Sequence, residues 1–202
     1  MGPPACHAPP DAGPPRDAFK APHCLGPRGG LRLTVRMYLG DVPPIPVLLV
    51  ALRDAGGDGT LQLLDGCLVA GRDHVASALA AARRARAADA AQAKDPGLEL
   101  LRRAAGERQI QKALVFLGVK PGNARLVAAV PLAEGADTAA DALAKRLNWR
   151  RDDTLLEAEA REGGVAALLD AWSVGEAERA VVPRARWKDL VLERVALTDA
   201  WK

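Results

Sequence analysis

Few residues in this chain are of a type that does covalent chemistry. Between positions 31 and 202 there is one cysteine, Cys67, and one histidine, His74. A Cys–His pair can act as nucleophile and base when the two side chains meet. Seven positions of separation do not by themselves make that dyad. Cys67 lies among apolar neighbours and reads as a small core residue. His74 follows Asp73 at an expected helix start, where a surface or capping role is expected. The acidic positions Asp152, Asp153, Glu157 and Glu159 could bind a cation in principle, but they read as a solvated face. Gly56-Gly57-Asp58-Gly59 lacks the lysine and following helix of a phosphate loop, so it reads as a turn. Cys6-His7 and His23-Cys24 are zinc-ligand types, but adjacent Cys-His pairs make poor chelates. No metal, cofactor or catalytic residue is expected.

The basic residues are more informative. Arg83, Arg84 and Arg86 cluster at the end of an alanine-rich stretch, where they also suit a helix C-terminus. Arg108, Gln111 and Lys112 share one helical face, opposite an apolar stripe of Ile110, Leu114 and Leu117. The start of that helix offers backbone N–H groups, which suit a phosphate.

Composition bounds the frame that must position these groups. The chain has 202 residues, 49% of them apolar and only 3% aromatic, so its core must be aliphatic. A net charge of +3 permits contact with nucleic acid without requiring it. The longest apolar run, near Ile45–Leu52, is far short of a membrane span, and the N-terminus lacks the apolar stretch of a signal peptide. A cytoplasmic location is expected.

Residues 1–30 are rich in proline and glycine and are expected to form a disordered extension. Residues 31–202 are expected to form one α/β (α+β) domain, a small mixed β-sheet covered by several α-helices. Leu31, Leu33, Val35 and Met37 alternate with polar residues, which predicts a strand with one wet face. A helix ending near Gly56 follows, then a hairpin of Thr60–Leu64 with Cys67–Ala70. Helices are expected over Arg72–Ala88, over Leu98–Ala105 and from Ile110 to Gly118, and a buried strand over Leu126–Val130. Thr138 with Asp141, and Ser173 with Glu176, have capping-box spacing. Val165, Leu168, Leu169 and Trp172 form one apolar stripe, and Trp187, Leu190, Val191 and Val195 another.

Three segments together resemble one family. They are Ala105-Gly106-Glu107-Arg108-Gln109-Ile110-Gln111-Lys112-Ala113-Leu114 with Leu117-Gly118-Val119, then Gln62-Leu63-Leu64-Asp65 with Leu68-Val69-Ala70-Gly71-Arg72, and Leu190 to Leu197. They resemble the PRPK-binding (TPRKB-like, Cgi-type) subunit of the KEOPS tRNA-modification complex, over roughly residues 31–200 and in the same order. The resemblance implies a non-catalytic regulatory subunit that binds and stimulates the kinase-like ATPase of the complex. Through that partner it implies an indirect link to the subunit that transfers the threonylcarbamoyl group. It also implies help in capturing the tRNA 3′ CCA end, as in archaea. With that implication, Arg72, Arg108, Gln109 and Lys112 become the tRNA-binding candidates. Leu168, Trp172, Trp187 and Leu192 are the candidates for partner binding. Two rival readings are an interaction module without an RNA role and a small-molecule enzyme with an unrecognised site.

Overall fold

The computed structural model describes residues 33–199. The extension expected over residues 1–30 lies outside them, with its Cys-His pairs.

The sheet has four strands, β1 (Arg36–Val42), β2 (Leu61–Asp65), β3 (Gly122–Pro131) and β4 (Arg150–Arg151), in the order β2-β3-β1-β4. The fold is α+β as expected, but every pairing among the described residues is antiparallel, so the sheet is not mixed. β1 and β2 flank β3, and α1 (Ile45–Asp54) carries the chain across from one to the other.

Strand alternation sorts the core into two layers. Met37, Leu64, Leu126, Ala128 and Val130 face one cluster. It is covered by α2 (Arg72–Ala87), α3 (Pro96–Ala104), α4 (Ile110–Leu117), α6 (Gly164–Ala171) and α8 (Trp187–Ala196). Tyr38, Leu61, Leu63, Val127 and Ala129 face a second cluster, closed by α1, by α5 (Ala136–Arg146) and by Trp149. Both faces are therefore covered, and β3 is apolar throughout Leu126–Val130, as such a strand must be.

The same two-sided burial corrects the first strand. It starts at Arg36 rather than Leu31 and runs on to Val42. Its second face is not wet, because Tyr38 is buried against α5 and donates its hydroxyl to Asp141 at 2.8 Å. The expected hairpin is also absent. After Asp65 the chain enters a 3-10 turn, Gly66–Leu68, in which the Asp65 carboxylate accepts the Cys67 N–H at 3.1 Å. β2 pairs with β3 instead, Leu63 opposite Ala129.

Neither expected capping box forms. α5 begins at Ala136 behind Gly135, Thr138 donates to the Gly135 carbonyl, and Asp141 is engaged by Tyr38 and Arg36. Ser173 has φ +53°, and α7 (Glu176–Ala180) starts after Gly175 with no side-chain cap. The boundaries of α2, α3 and α4 fall within two residues of expectation.

Candidate nucleic-acid and partner interface

His74 is not on the surface. It is fully buried in the first turn of α2, where Nδ1 accepts the Ala70 N–H at 3.0 Å and Nε2 donates to the Ala104 carbonyl at 2.7 Å. Burial pushes its pKa down to about 4, so the ring is neutral at pH 7 and both nitrogens are occupied. Cys67 is half-buried against the same cluster. The acidic residues are neutralised by neighbouring bases. Asp153 accepts the Met37 N–H and pairs with Arg151, Asp152 pairs with Arg150, and Lys188 bridges Glu157 and Glu159.

His74 ties the start of α2 to the end of α3. Arg72 and the Ala105–Gln109 connection therefore leave the same end of that helix pair. Arg108, Gln109 and Lys112 are all exposed there. Gln109 is the N-cap of α4, and no side chain caps that helix. The first turn of α4 therefore keeps the N–H character on which an anion site depends.

Arg72 is exposed as well. Its backbone N–H donates to Glu157 Oε1 at 3.1 Å, and its guanidinium donates to the Leu33 carbonyl at 3.2 Å. Burial would raise the Glu157 carboxyl, but bonds from Lys188 and the Arg72 amide draw it down. A Cβ on Gly71, which has φ +147°, would lie 2.4 Å from Glu157 Oε2. An internal carboxylate therefore already sits on the amino end of α2.

The apolar candidates separate in the same way. Leu168 and Trp172 are buried and offer a partner no free surface in this chain. Trp172 donates from Nε1 to the Leu68 carbonyl at 3.0 Å, and Phe116 meets its ring edge-on at 5.0 Å. Trp187 is partly buried beneath the Arg184 guanidinium, 5.3 Å from the ring centroid, and Leu192 is half-buried.

One exposed apolar surface lies on α4. Ala113 and Leu117 are its buried anchors, whereas Leu114 is 45% exposed and Val115 74%. The stripe is thus rotated from the expected Ile110/Leu114 face, because Phe116 turns inward against Trp172. A cleft of about 340 Å³ adjoins it, lined by Gly106, Phe116, Trp172, Ser173, Arg194 and Leu197.

Sequence reasoning missed one polar cluster entirely. Glu99, Arg102 and Arg103 are buried together on α3. Burial would raise the Glu99 carboxyl, but Arg102, Arg103 and the Ala93 N–H hold it at about 2. The i, i+3, i+4 spacing was the available signal, and it is shared with any exposed helical ion pair. Comparison with protein-family models and with curated protein sequences finds no match for this chain.

Proposed function

We propose that this chain is a non-catalytic accessory subunit of a KEOPS-type complex. In this reading it binds and stimulates the kinase-like ATPase subunit. It also helps present the tRNA 3′ CCA end for formation of N6-threonylcarbamoyladenosine, in the cytoplasm. One observation carries the reading. The helix bearing the family-like segment, α4, has basic residues at an uncapped amino end and exposed Leu114 and Val115 along its flank. Basic side chains with helix-start amides suit a single-stranded phosphate backbone, and an exposed apolar helix flank suits a protein partner.

The partner surface in this reading is Leu114 and Val115 with the half-buried Leu192, rather than the interior Leu168 and Trp172. The test is a pull-down with the kinase-like subunit, with and without tRNA. Retention of the kinase-like subunit, strengthened by intact but not CCA-trimmed tRNA, is the expected result. Retention indifferent to tRNA would leave an interaction module without an RNA role, a reading that Val115 alone also suits. No retention would remove the proposal.

A further inference from the structure

A second cavity, of about 370 Å³, lies against the carboxyl half of α2 and is lined by Ala81, Arg84, Ala85, Ala90 and Arg103. Its wall holds two guanidiniums, three methyl groups and no carboxylate; neither Asp89, next to Ala90 in the chain, nor Glu99 is part of it. The parts are fixed in place. α2 ends on Asp89, which has φ +52°, and the Ala88, Asp89 and Ala90 amides donate to the Arg84, Arg86 and Ala85 carbonyls. The loop that follows is tied down where Gln92 and Ala93 donate to buried Glu99 and where Arg86 donates to the Lys94 carbonyl at 2.8 Å. Arg103, only 4% exposed, donates from Nε to the same Glu99 at 2.9 Å.

Arginines at a helix end often serve its last carbonyls. Here backbone amides already bond the carbonyls of Arg84, Ala85 and Arg86, so the helix closes without the Arg84 side chain. The Arg84 guanidinium has no hydrogen-bond or ion-pair partner among the described residues. We propose that this cavity binds the diphosphate group of a small ligand, between Arg84 on α2 and Arg103 on α3. A guanidinium presents a planar fork of N–H donors that matches phosphate oxygens. Two forks from different helices line one space, and a diphosphate offers a phosphoryl group to each. A nucleobase needs a broad flat wall to stack on, and three alanine methyls supply none, so the anion alone is what the cavity can read. Arg103 is already held by Glu99, so little side-chain freedom is lost there when the anion enters.

Calorimetric titration of the full chain with pyrophosphate, at constant ionic strength, should show saturable one-to-one binding with a Kd below about 1 mM. ADP should bind with similar affinity and adenosine should not bind, which separates the diphosphate from the nucleoside that may carry it. Arg84→Ala should weaken pyrophosphate binding at least about tenfold. Ala81→Leu keeps both charges but fills the space, and it should have the same effect. Arg83→Ala, one position away and off the cavity wall, and Arg108→Ala, on α4, should leave binding unchanged. Arg83, Arg84 and Arg108 are exposed and Ala81 is half-buried, so circular dichroism should match the parent in all four. No saturation up to about 10 mM pyrophosphate overturns the proposal. So does undiminished binding in Arg84→Ala or in a folded Ala81→Leu variant. An equal loss in Arg83→Ala would mean diffuse charge attraction, a loss in Arg108→Ala would move the anion to α4, and ADP binding more than about tenfold tighter than pyrophosphate would mean that a base is read; each of these also overturns it.

Discussion

His74 Nε2 donates to the Ala104 carbonyl at 2.7 Å from a fully buried ring, while Nδ1 accepts from Ala70. The ring must be neutral to keep that Nδ1 bond. Its pKa is about 4 in the folded chain against 6.5 for an exposed histidine. Between those values the unfolded chain binds the proton and the folded chain does not, so stability falls as pH drops from about 6.5 towards 4. The full effect is about 3 kcal/mol, from roughly 1.4 kcal/mol per pKa unit. Urea midpoints measured from pH 7.5 to 4 should show this loss. His74→Phe should be less stable at pH 7 and should lack that part of the pH dependence.

Glu99 adds a separate acid-sensitive step. Its folded pKa of about 2 is below the ordinary 4.5, so its contribution is complete above about 4.5 and is lost as pH falls from there towards 2. The carboxylate accepts from Arg102, Arg103 and the Gln92 and Ala93 amides. Glu99→Leu leaves Arg102 buried with no counter-charge and should cost about 3–5 kcal/mol. Glu99→Leu with Arg102→Met should cost less than Glu99→Leu alone. Chemical denaturation of the three variants measures the coupling.

Gly40 and Trp149 are bound by space. A Cβ at residue 40 would lie 2.1 Å from Trp149 Cδ1, and the indole N–H donates to the Asp41 carbonyl at 2.8 Å. Trp149 thus roofs the β1 edge that the short β4 leaves uncovered. Gly40→Ala should destabilise by about 1–3 kcal/mol, and Trp149→Leu should absorb part of that cost when the two are combined. A fully additive double variant would show that the contact carries no energy.

Local signals were legible in the sequence where they alone decide the outcome. The alanine-rich stretch of α2 and the 3.6-residue periodicity of α4 placed those helices, whereas the apolar run Leu126–Val130 marked only the buried half of β3, which starts at Gly122. The hairpin failed because β2 takes its partner from residues 127–131, and no local pattern carries that choice. Thr138 and Ser173 have capping spacing, but Asp141 is drawn to Tyr38 and Ser173 lies in a left-handed turn. Of the candidate interface, the basic end of α4 could be read from residue types. Leu168 and Trp172 could not be told from surface residues, since apolar stripes look alike whether buried in a core or in a complex.

That difference gives a test for the partner surface. Leu168→Ala removes interior packing and should cost about 2–5 kcal/mol of stability. Val115→Asp lies on the exposed flank and should leave the melting temperature nearly unchanged while reducing affinity for the kinase-like subunit. Leu192→Glu, from half-buried α8, should show whether the surface extends that far. Calorimetric titration beside thermal melts separates the two effects. Full affinity in a folded Val115→Asp variant would place the contact elsewhere.

The amino end of α4 gives the last prediction. A tRNA 3′ end is single-stranded and offers phosphates with unstacked bases. With 3% aromatic residues in the chain, guanidinium planes and amides must do much of the recognition. Arg108 and Lys112 lie one helical turn apart beside the uncapped first turn of α4, with Gln109 between them at the N-cap. Arg72 is exposed as well, but its amide holds Glu157 and its guanidinium holds the Leu33 carbonyl. The two helix ends should therefore behave differently, because Glu157 occupies the amino end of α2 and no side chain caps that of α4. Arg108→Ala and Lys112→Ala should each weaken tRNA binding and lower the slope of log affinity against log salt by about 0.7, the value for one contact to a single-stranded phosphate. Arg72→Ala should change the slope less, because replacing it does not free the helix end that Glu157 occupies. Filter binding at several salt concentrations, with CCA-trimmed tRNA as reference, measures all three. Equal slopes for the parent, Arg108→Ala and Lys112→Ala would move the RNA site off α4. Equal losses for Arg72→Ala and Arg108→Ala would mean that RNA displaces the Glu157 carboxylate from α2, and Glu157→Gln should then tighten binding.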